Sequence, residues 1–284
     1  MHTLFGSLKG ARLWSGTFFL GVFLLFSLSW AMAAPSEESK HLARHGRMPF
    51  KTRYLYPGGR VELAVDWLSQ PEERILLLTF DDGPDARDLK IAELLAKQAI
   101  PAAFFYVGRK MKAMPEIVEA IRAAQYEIGY HSHGHAHLSG LSQSRLTEDF
   151  AQGRSLLQHL GVPVRWFRPP YGDFDARVLQ AAQDHGMETL LWSIDSRDWA
   201  GIGAQTLASN VIRQLHPGAV LLFHSTRAAT LAALPAIVQA AHRAHYRFVT
   251  LDEWRRVVRA AQGRVQGESD QTSEREGEVP EPLP

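Results

Sequence analysis

The chain has 284 residues, 45% hydrophobic and 21% charged, with a formal net charge of +1 and no cysteine. That balance suits one globular domain of about 200 residues once both ends are set aside, and it offers no strong field for nucleic acid or acidic lipid. Disulfides and thiolate metal sites are excluded, so any bound metal must use His, Asp or Glu.

At the N-terminus, Lys9 and Arg12 precede an uncharged run from Leu13 to Ser36 that contains Ala31-Met32-Ala33. This is the order of a secretory signal peptide, although the run is also long enough to stay in a bilayer as an anchor. Residues 1–34 are therefore expected to direct export to the periplasm or beyond. The alternative is a membrane-anchored form facing outside the cytoplasm. Residues 35–74 read as a polar connector whose apolar patch, Val61 to Leu68, packs on the main domain. Residues 75–261 form that single domain. Residues 262–284 are Gly-, Glu- and Pro-rich without an aromatic residue, and are expected to be a disordered acidic tail.

Between Ile75 and Ala260 two patterns alternate. Short apolar runs read as buried strands: ILLLTF from Ile75, AAFFYV from Ala102, YEIGY from Tyr126, RWFR from Arg165, ETLLWS from Glu188, AVLLFH from Ala219 and RFVT from Arg247. Stretches of helical period lie between them, including Leu89 to Gln98, Glu116 to Ala124, Arg145 to His159 and Ala176 to His185. The alternation indicates an α/β fold with a parallel sheet covered by helices, either closed into a barrel or left open and doubly wound.

The chemically suggestive residues follow the strands. Asp81 and Asp82 come after the first, His131 to His137 after the third, and Arg168 to Gly172 after the fourth. Asp195 to Trp199 come after the fifth, and His224 ends the sixth. In a parallel barrel this is the face where loops converge into a site. TFDDGP, Thr79 to Pro84, reads either as a helix-capping turn or as two carboxylates at one site, the latter only if the strand breaks into a loop. In YHSHGHAH, Tyr130 to His137, one turn of helix would bring His131 and His135 to the same side. His133 and His137 have the same spacing, so spacing alone does not choose between the pairs. Two imidazoles and one carboxylate would leave open positions on a divalent ion.

TFDDGP, EIGYHSHGHAHL, FRPPYG, DSRDW and VLLFH, in this order, resemble the five motifs of the polysaccharide deacetylase family, the NodB homology group or carbohydrate esterase family 4. The resemblance implies a distorted (β/α)7 TIM-like barrel and metal-dependent removal of acetyl groups, most simply N-acetyl, from an amino-sugar glycan. It also implies roles. Asp82, His131 and His135 would hold one divalent metal, zinc first, with cobalt or nickel as alternatives. Ser132 would stabilise their loop. Asp81 would be the general base toward the water at the metal, aimed by Arg168. The backbone N–H of Tyr171 would stabilise the oxyanion, with the loop there mattering more than the phenol. His224, paired with Asp198, would be the general acid. Tyr171, Trp199 and Leu222 would line the substrate groove, and His133 and His137 would be solvated extras.

Tyr130, Ala136 and Ser225 stand where the family often has Asn, Pro and Asp, which bears on substrate fit. Two further readings remain: a catalytically silent carbohydrate-binding barrel, and a hydrolase of another amide or of an O-acetyl ester.

Overall fold

The computed structural model describes residues 72–261, together with the backbone of residues 53–56 and 59–62. The expected signal or anchor segment, most of the expected connector and the expected disordered tail lie outside the described residues. Two short strands come first, β1 (Arg53–Tyr56) and β2 (Gly59–Glu62). The main strands are β3 (Ile75–Gly83), β4 (Ala103–Tyr106), β5 (Glu127–Tyr130), β6 (Trp166–Phe167), β7 (Glu188–Leu190), β8 (Ile194–Asp195), β9 (Ala219–His224) and β10 (Arg247–Phe248). The helices are α1 (Ala86–Ala96), α2 (Gly108–Ala113), α3 (Pro115–Ala123), α4 (Gln143–His159), α5 (Ala176–Asp184), α6 (Ala204–Ile212), α7 (Ala228–Arg243) and α8 (251–261).

Helices α1 and α4 begin before their apolar periodicity does, because their first turns are built by polar caps. Asp85 accepts from the N–H of Arg87, and Asp88 reaches back to the N–H of Asp85. Ser142 caps α4 through the N–H of Arg145. Such bonds satisfy backbone donors that have no partner inside the helix.

The strand pairs from β2 to β10 are all parallel, in the order β2-β7-β6-β5-β4-β3-β9-β8, with β10 on the start of β3. The exception to the parallel expectation is β1, which pairs antiparallel with β2. The expected strand ETLLWS ends early, at Leu190, as β7, which pairs with β6; the strand breaks over residues 191–193 and a separate one, β8, begins at Ile194 and pairs with β9. That break forces the sheet to curl. From β7 to β8 through the sheet is six steps, about 29 Å if flat at the usual strand spacing of ~4.8 Å. The chain crosses from Leu190 to Ile194, a reach of about 14 Å at most. The sheet therefore bends round until its ends approach. Among the described residues no ladder joins β7 to β8; β2 takes the open edge of β7 instead. The result is the parallel α/β half-barrel expected of a distorted (β/α)7 fold.

Alternation along the strands separates two cores. Leu76, Leu78 and Phe80 of β3, Phe104 and Tyr106 of β4, and Leu221 and Phe223 of β9 face the helices. Ile75, Leu77, Ala103, Phe105, Trp166, Leu190 and Val220 point into the barrel, where Leu251, Trp254 and Val258 join them from α8. Helix α8 closes the N-terminal end: Trp254 donates its indole N–H to the carbonyl of Gly218 at 2.8 Å, and Arg255 pairs with Glu188 at the start of β7. Because side chains alternate with a period of two, the inward parity continues from Ile75 and Leu77 through Thr79 to Asp81. It likewise runs from Trp166 to Arg168, and from Val220 through Leu222 to His224. The apolar plug fills one end of the barrel, and polar residues of the same parity line the other.

Candidate active site

Asp81 and Asp82 would point to opposite faces in a regular strand. Here β3 does not break into a loop as expected. It continues to Gly83, which pairs with Tyr106, and takes a bulge at Asp82, whose φ is 70°. A bulge re-aims one side chain, so both carboxylates serve one site. Gly83 is required by this geometry, since a Cβ there would lie 2.4 Å from the Tyr106 ring. Lys110, at the start of α2, fixes the bulge by donating to the carbonyl of Asp82 at 2.6 Å.

The histidine loop also reaches its geometry by a different route from the one its spacing suggests. Residues 131–137 are not helical; Ser132 and His135 adopt left-handed φ values of 59° and 60°. The loop is braced from within by the Ser132 hydroxyl, which accepts from the N–H of His135 at 2.8 Å. From outside it is braced by Asp149, which accepts from the N–H of His133 at 3.0 Å and from the Tyr130 hydroxyl at 2.8 Å. Tyr130 is thus a fully buried anchor of this loop.

The two pairs of histidines now separate. Nε2 of His135 lies 2.9 Å from Oδ1 of Asp82, and Nε2 of His131 lies 3.5 Å from the same oxygen. One ligand atom from each of the three residues falls within 4.8 Å of the others. His133 has its backbone N–H on Asp149, and His137 lies 3.5 Å from Asp173 at the rim.

The donor set fits a cation on two grounds. Oδ1 of Asp82 is buried and makes no well-directed hydrogen bond despite its two imidazole neighbours. A buried acceptor left without such a bond is costly, and a positive ion among these three atoms would satisfy it. In addition, both Nδ1 atoms are engaged elsewhere: that of His131 with the carbonyl of Arg168 at 2.7 Å, that of His135 with the Tyr171 hydroxyl at 3.0 Å. A proton held on Nδ1 leaves Nε2 as the free lone pair, the arrangement of metal-binding histidines. Burial pushes the Asp82 carboxyl up, but contacts from His131 and His135 and the charges of His131 and His224 hold it well below the usual carboxylate range.

Asp81 is 2% exposed and faces Arg168, which is fully buried in the barrel. Nη1 of Arg168 donates to Oδ1 of Asp81 at 2.8 Å and to the Thr79 hydroxyl at 2.7 Å. Its remaining N–H groups reach the carbonyls of Leu190 and Leu191, and the guanidinium carbon lies 4.2 Å from the Phe105 ring centroid. The other Asp81 oxygen is 3.8 Å from Nε2 of His131.

On the neighbouring strand, His224 is in register with Asp81. Its Nδ1 lies 2.6 Å from Oδ1 of Asp198, and Oδ2 of Asp198 accepts from the His224 N–H and the Thr230 hydroxyl. Burial lowers the His224 pKa, but Asp198 first, then the charges of Asp81 and Asp82, bring it above its ordinary 6.5. Asp198 moves the other way: burial raises it, and the bonds from His224 and Thr230 bring it below its usual range.

The rim is aromatic. Trp199 is 47% exposed, so it is not a core residue; its indole N–H points to Asp195. Leu222 is buried on the inner face, in register with Thr79. Tyr171 is 59% exposed with φ at 61°, and its N–H enters none of the hydrogen bonds of the surrounding turn. Its phenol, which the sequence ranked below the loop geometry, lies 3.0 Å from Nδ1 of His135.

Sequence reasoning missed four supporting residues. Thr79 could have been found from strand parity. Lys110, Asp149 and Thr230 sit on helices, and nothing in local spacing marks them.

The polysaccharide deacetylase family model matches residues 69–190. A peptidoglycan-N-acetylglucosamine deacetylase of Bacillus cereus is 32% identical over 195 residues, 66% of this chain and 92% of that protein. A chitooligosaccharide deacetylase of Sinorhizobium fredii is 29% identical over 182 residues, covering 58% and 84%. Among solved structures, a peptidoglycan N-acetylglucosamine deacetylase aligns at 31% identity with a TM-score of 0.63, over 65% of this chain and 90% of that one. A CE4 family pseudoenzyme from Bacillus anthracis aligns at 28% identity with a TM-score of 0.62, covering 65% and 66%. This chain belongs to the polysaccharide deacetylase family, the carbohydrate esterases of family 4 with the NodB homology domain.

Proposed function

We propose that the chain is an exported, metal-dependent deacetylase that removes N-acetyl groups from an amino-sugar glycan. The observation that carries this reading is the cluster of Asp82, His131 and His135, with one ligand atom of each within 4.8 Å of the others, beside the Asp81–Arg168 pair and the His224–Asp198 pair. The names of the relatives, peptidoglycan and chitooligosaccharide deacetylases, support an N-acetylated glycan. The segment from residue 1 to 34 supports export, by cleavage or as an anchor, and residues 75–261 would be the catalytic domain. Among the described residues no helix is long and apolar enough to cross a membrane.

A divalent ion, zinc first, would be held by Asp82, His131 and His135 and would supply Lewis acidity to the water and the acetyl carbonyl. Asp81 takes the proton of the attacking water, and Arg168 keeps that carboxylate in place. As the carbonyl carbon becomes tetrahedral, the Tyr171 N–H donates to its oxygen, a contact typically worth about 3 kcal/mol in such sites. His224 gives a proton from Nε2 to the departing amine while Asp198 holds Nδ1. Leu222 receives the acetyl methyl, and Trp199 and Tyr171 border the sugar.

The pseudoenzyme among the structural neighbours favours a second reading, a barrel that binds carbohydrate without turning it over. Acetate release from N-acetylated chito-oligosaccharide by the purified full chain separates the two. Release abolished by a chelator and restored by Zn²⁺ or Co²⁺ supports the enzyme; glycan binding with no release from the zinc-loaded chain supports the silent barrel.

The His224 assignment has its own signature. Its raised pKa keeps the acid form present above pH 6.5, and the stabilisation from the charged pair is lost as pH climbs through that raised value. Asp198→Asn removes the charge that outweighs burial, so the alkaline limb of kcat/KM moves to lower pH. A limb that stays in place excludes His224 as the acid.

A further inference from the structure

Resting on the metal reading above, we infer that His137 and Tyr171 form an outer brace for the metal centre: the Tyr171 phenol fixes the ring orientation and tautomer of His135, and His137 holds the phenol there. The links are continuous. Nε2 of His135 faces Oδ1 of Asp82 at 2.9 Å, and its Nδ1 lies 3.0 Å from the Tyr171 hydroxyl. With the lone pair of Nε2 turned inward, the ring proton sits on Nδ1 and donates to the phenol oxygen. The His135 ring meets the Tyr171 ring edge-on, with centroids 4.7 Å apart. The His137 ring lies flat against Tyr171, at 4.1 Å and 13°.

Each outer member is held in turn. Nδ1 of His137 is 3.5 Å from Oδ2 of Asp173, and Asp173 accepts from the Ser139 hydroxyl at 2.6 Å and the Ser139 N–H at 3.3 Å. Tyr171 sits at a left-handed φ, uncommon for a bulky residue and retained where the surroundings over-determine it. Those surroundings are the turn bonds from Gly172 to Pro169 and from Asp173 to Pro170, with Gly172 packed on Trp192. One face of the Tyr171 ring is covered by His137. His137 is therefore not an idle member of the cluster. It acts at two removes from the ion.

Partners on the far nitrogen of a metal-binding histidine typically tune affinity by 10–100-fold. Zn²⁺ affinity of the full chain, read by competition with a chromophoric chelator, tests the brace without substrate. Tyr171→Phe is expected to weaken Zn²⁺ binding by about 10-fold or more, with the melting temperature of the metal-free protein unchanged. His137→Ala should weaken it less, and His137→Phe, which keeps the flat plate, should restore it. Combining Tyr171→Phe with His137→Ala should bind no more weakly than Tyr171→Phe alone, because His137 acts through the phenol. Wild-type affinity in Tyr171→Phe, or additive losses in the double variant, overturns the brace while leaving the metal reading intact. Zn²⁺ binding that is unaffected by Asp82→Ala overturns both.

Discussion

Asp81→Asn is expected to lower kcat by about 10²–10⁴-fold, the usual share of a general base, while Zn²⁺ affinity stays near that of the wild type. The reason is the division of labour created by the bulge at Asp82. Asp82 turns Oδ1 to both imidazoles, whereas Asp81 keeps the inward parity of β3 and meets Arg168 at 2.8 Å. Asparagine preserves the shape and one acceptor for Arg168 but cannot take a proton at working pH. Acetate release and Zn²⁺ titration on the same preparation separate the roles. Wild-type turnover removes Asp81 as the base; loss of zinc together with turnover makes it a ligand.

Arg168→Met is expected to destabilise the fold by about 3–5 kcal/mol and to abolish activity. At this domain size the stability loss corresponds to roughly 6–20 °C in the thermal midpoint. The guanidinium has no exposure, and it satisfies Asp81, Thr79 and the carbonyls of Leu190 and Leu191 across the barrel. Removing it strands a buried carboxylate. Lysine does not replace it, because one ammonium cannot span acceptors that the planar fork reaches on both sides. Arg168→Met combined with Asp81→Leu removes both charges and should recover much of the stability with no activity. A single Arg168→Met variant as stable as the wild type would show that the pair is not held as described.

The fold was legible where burial makes the sequence monotonous. Ile75 to Leu78 and Ala219 to Phe223 are apolar because β3 and β9 are covered on both faces there. The early end of the strand at Leu190 and the new strand at Ile194 were not legible, since a short apolar run looks alike whether it pairs along its length or crosses from one sheet edge to the other. The antiparallel β1 was missed because its pairing with β2 depends on which edge β7 leaves open. In the site, strand-end positions marked the chemistry, and the resemblance chose His131 and His135 over His133 and His137. What spacing could not show was how they converge. A left-handed loop and a bulge do the work assigned to a helical turn and a strand end, and both are set by distant partners such as Lys110 and Asp149.

Anomalous diffraction at the zinc edge, from crystals of the zinc-loaded protein, addresses the metal assignment most directly. The expected result is one peak at about 2.0–2.2 Å from Oδ1 of Asp82 and from Nε2 of both His131 and His135, the normal range for zinc bound to oxygen and nitrogen. A peak on His133 or His137, or none at the Asp82 carboxylate, would contradict the assignment.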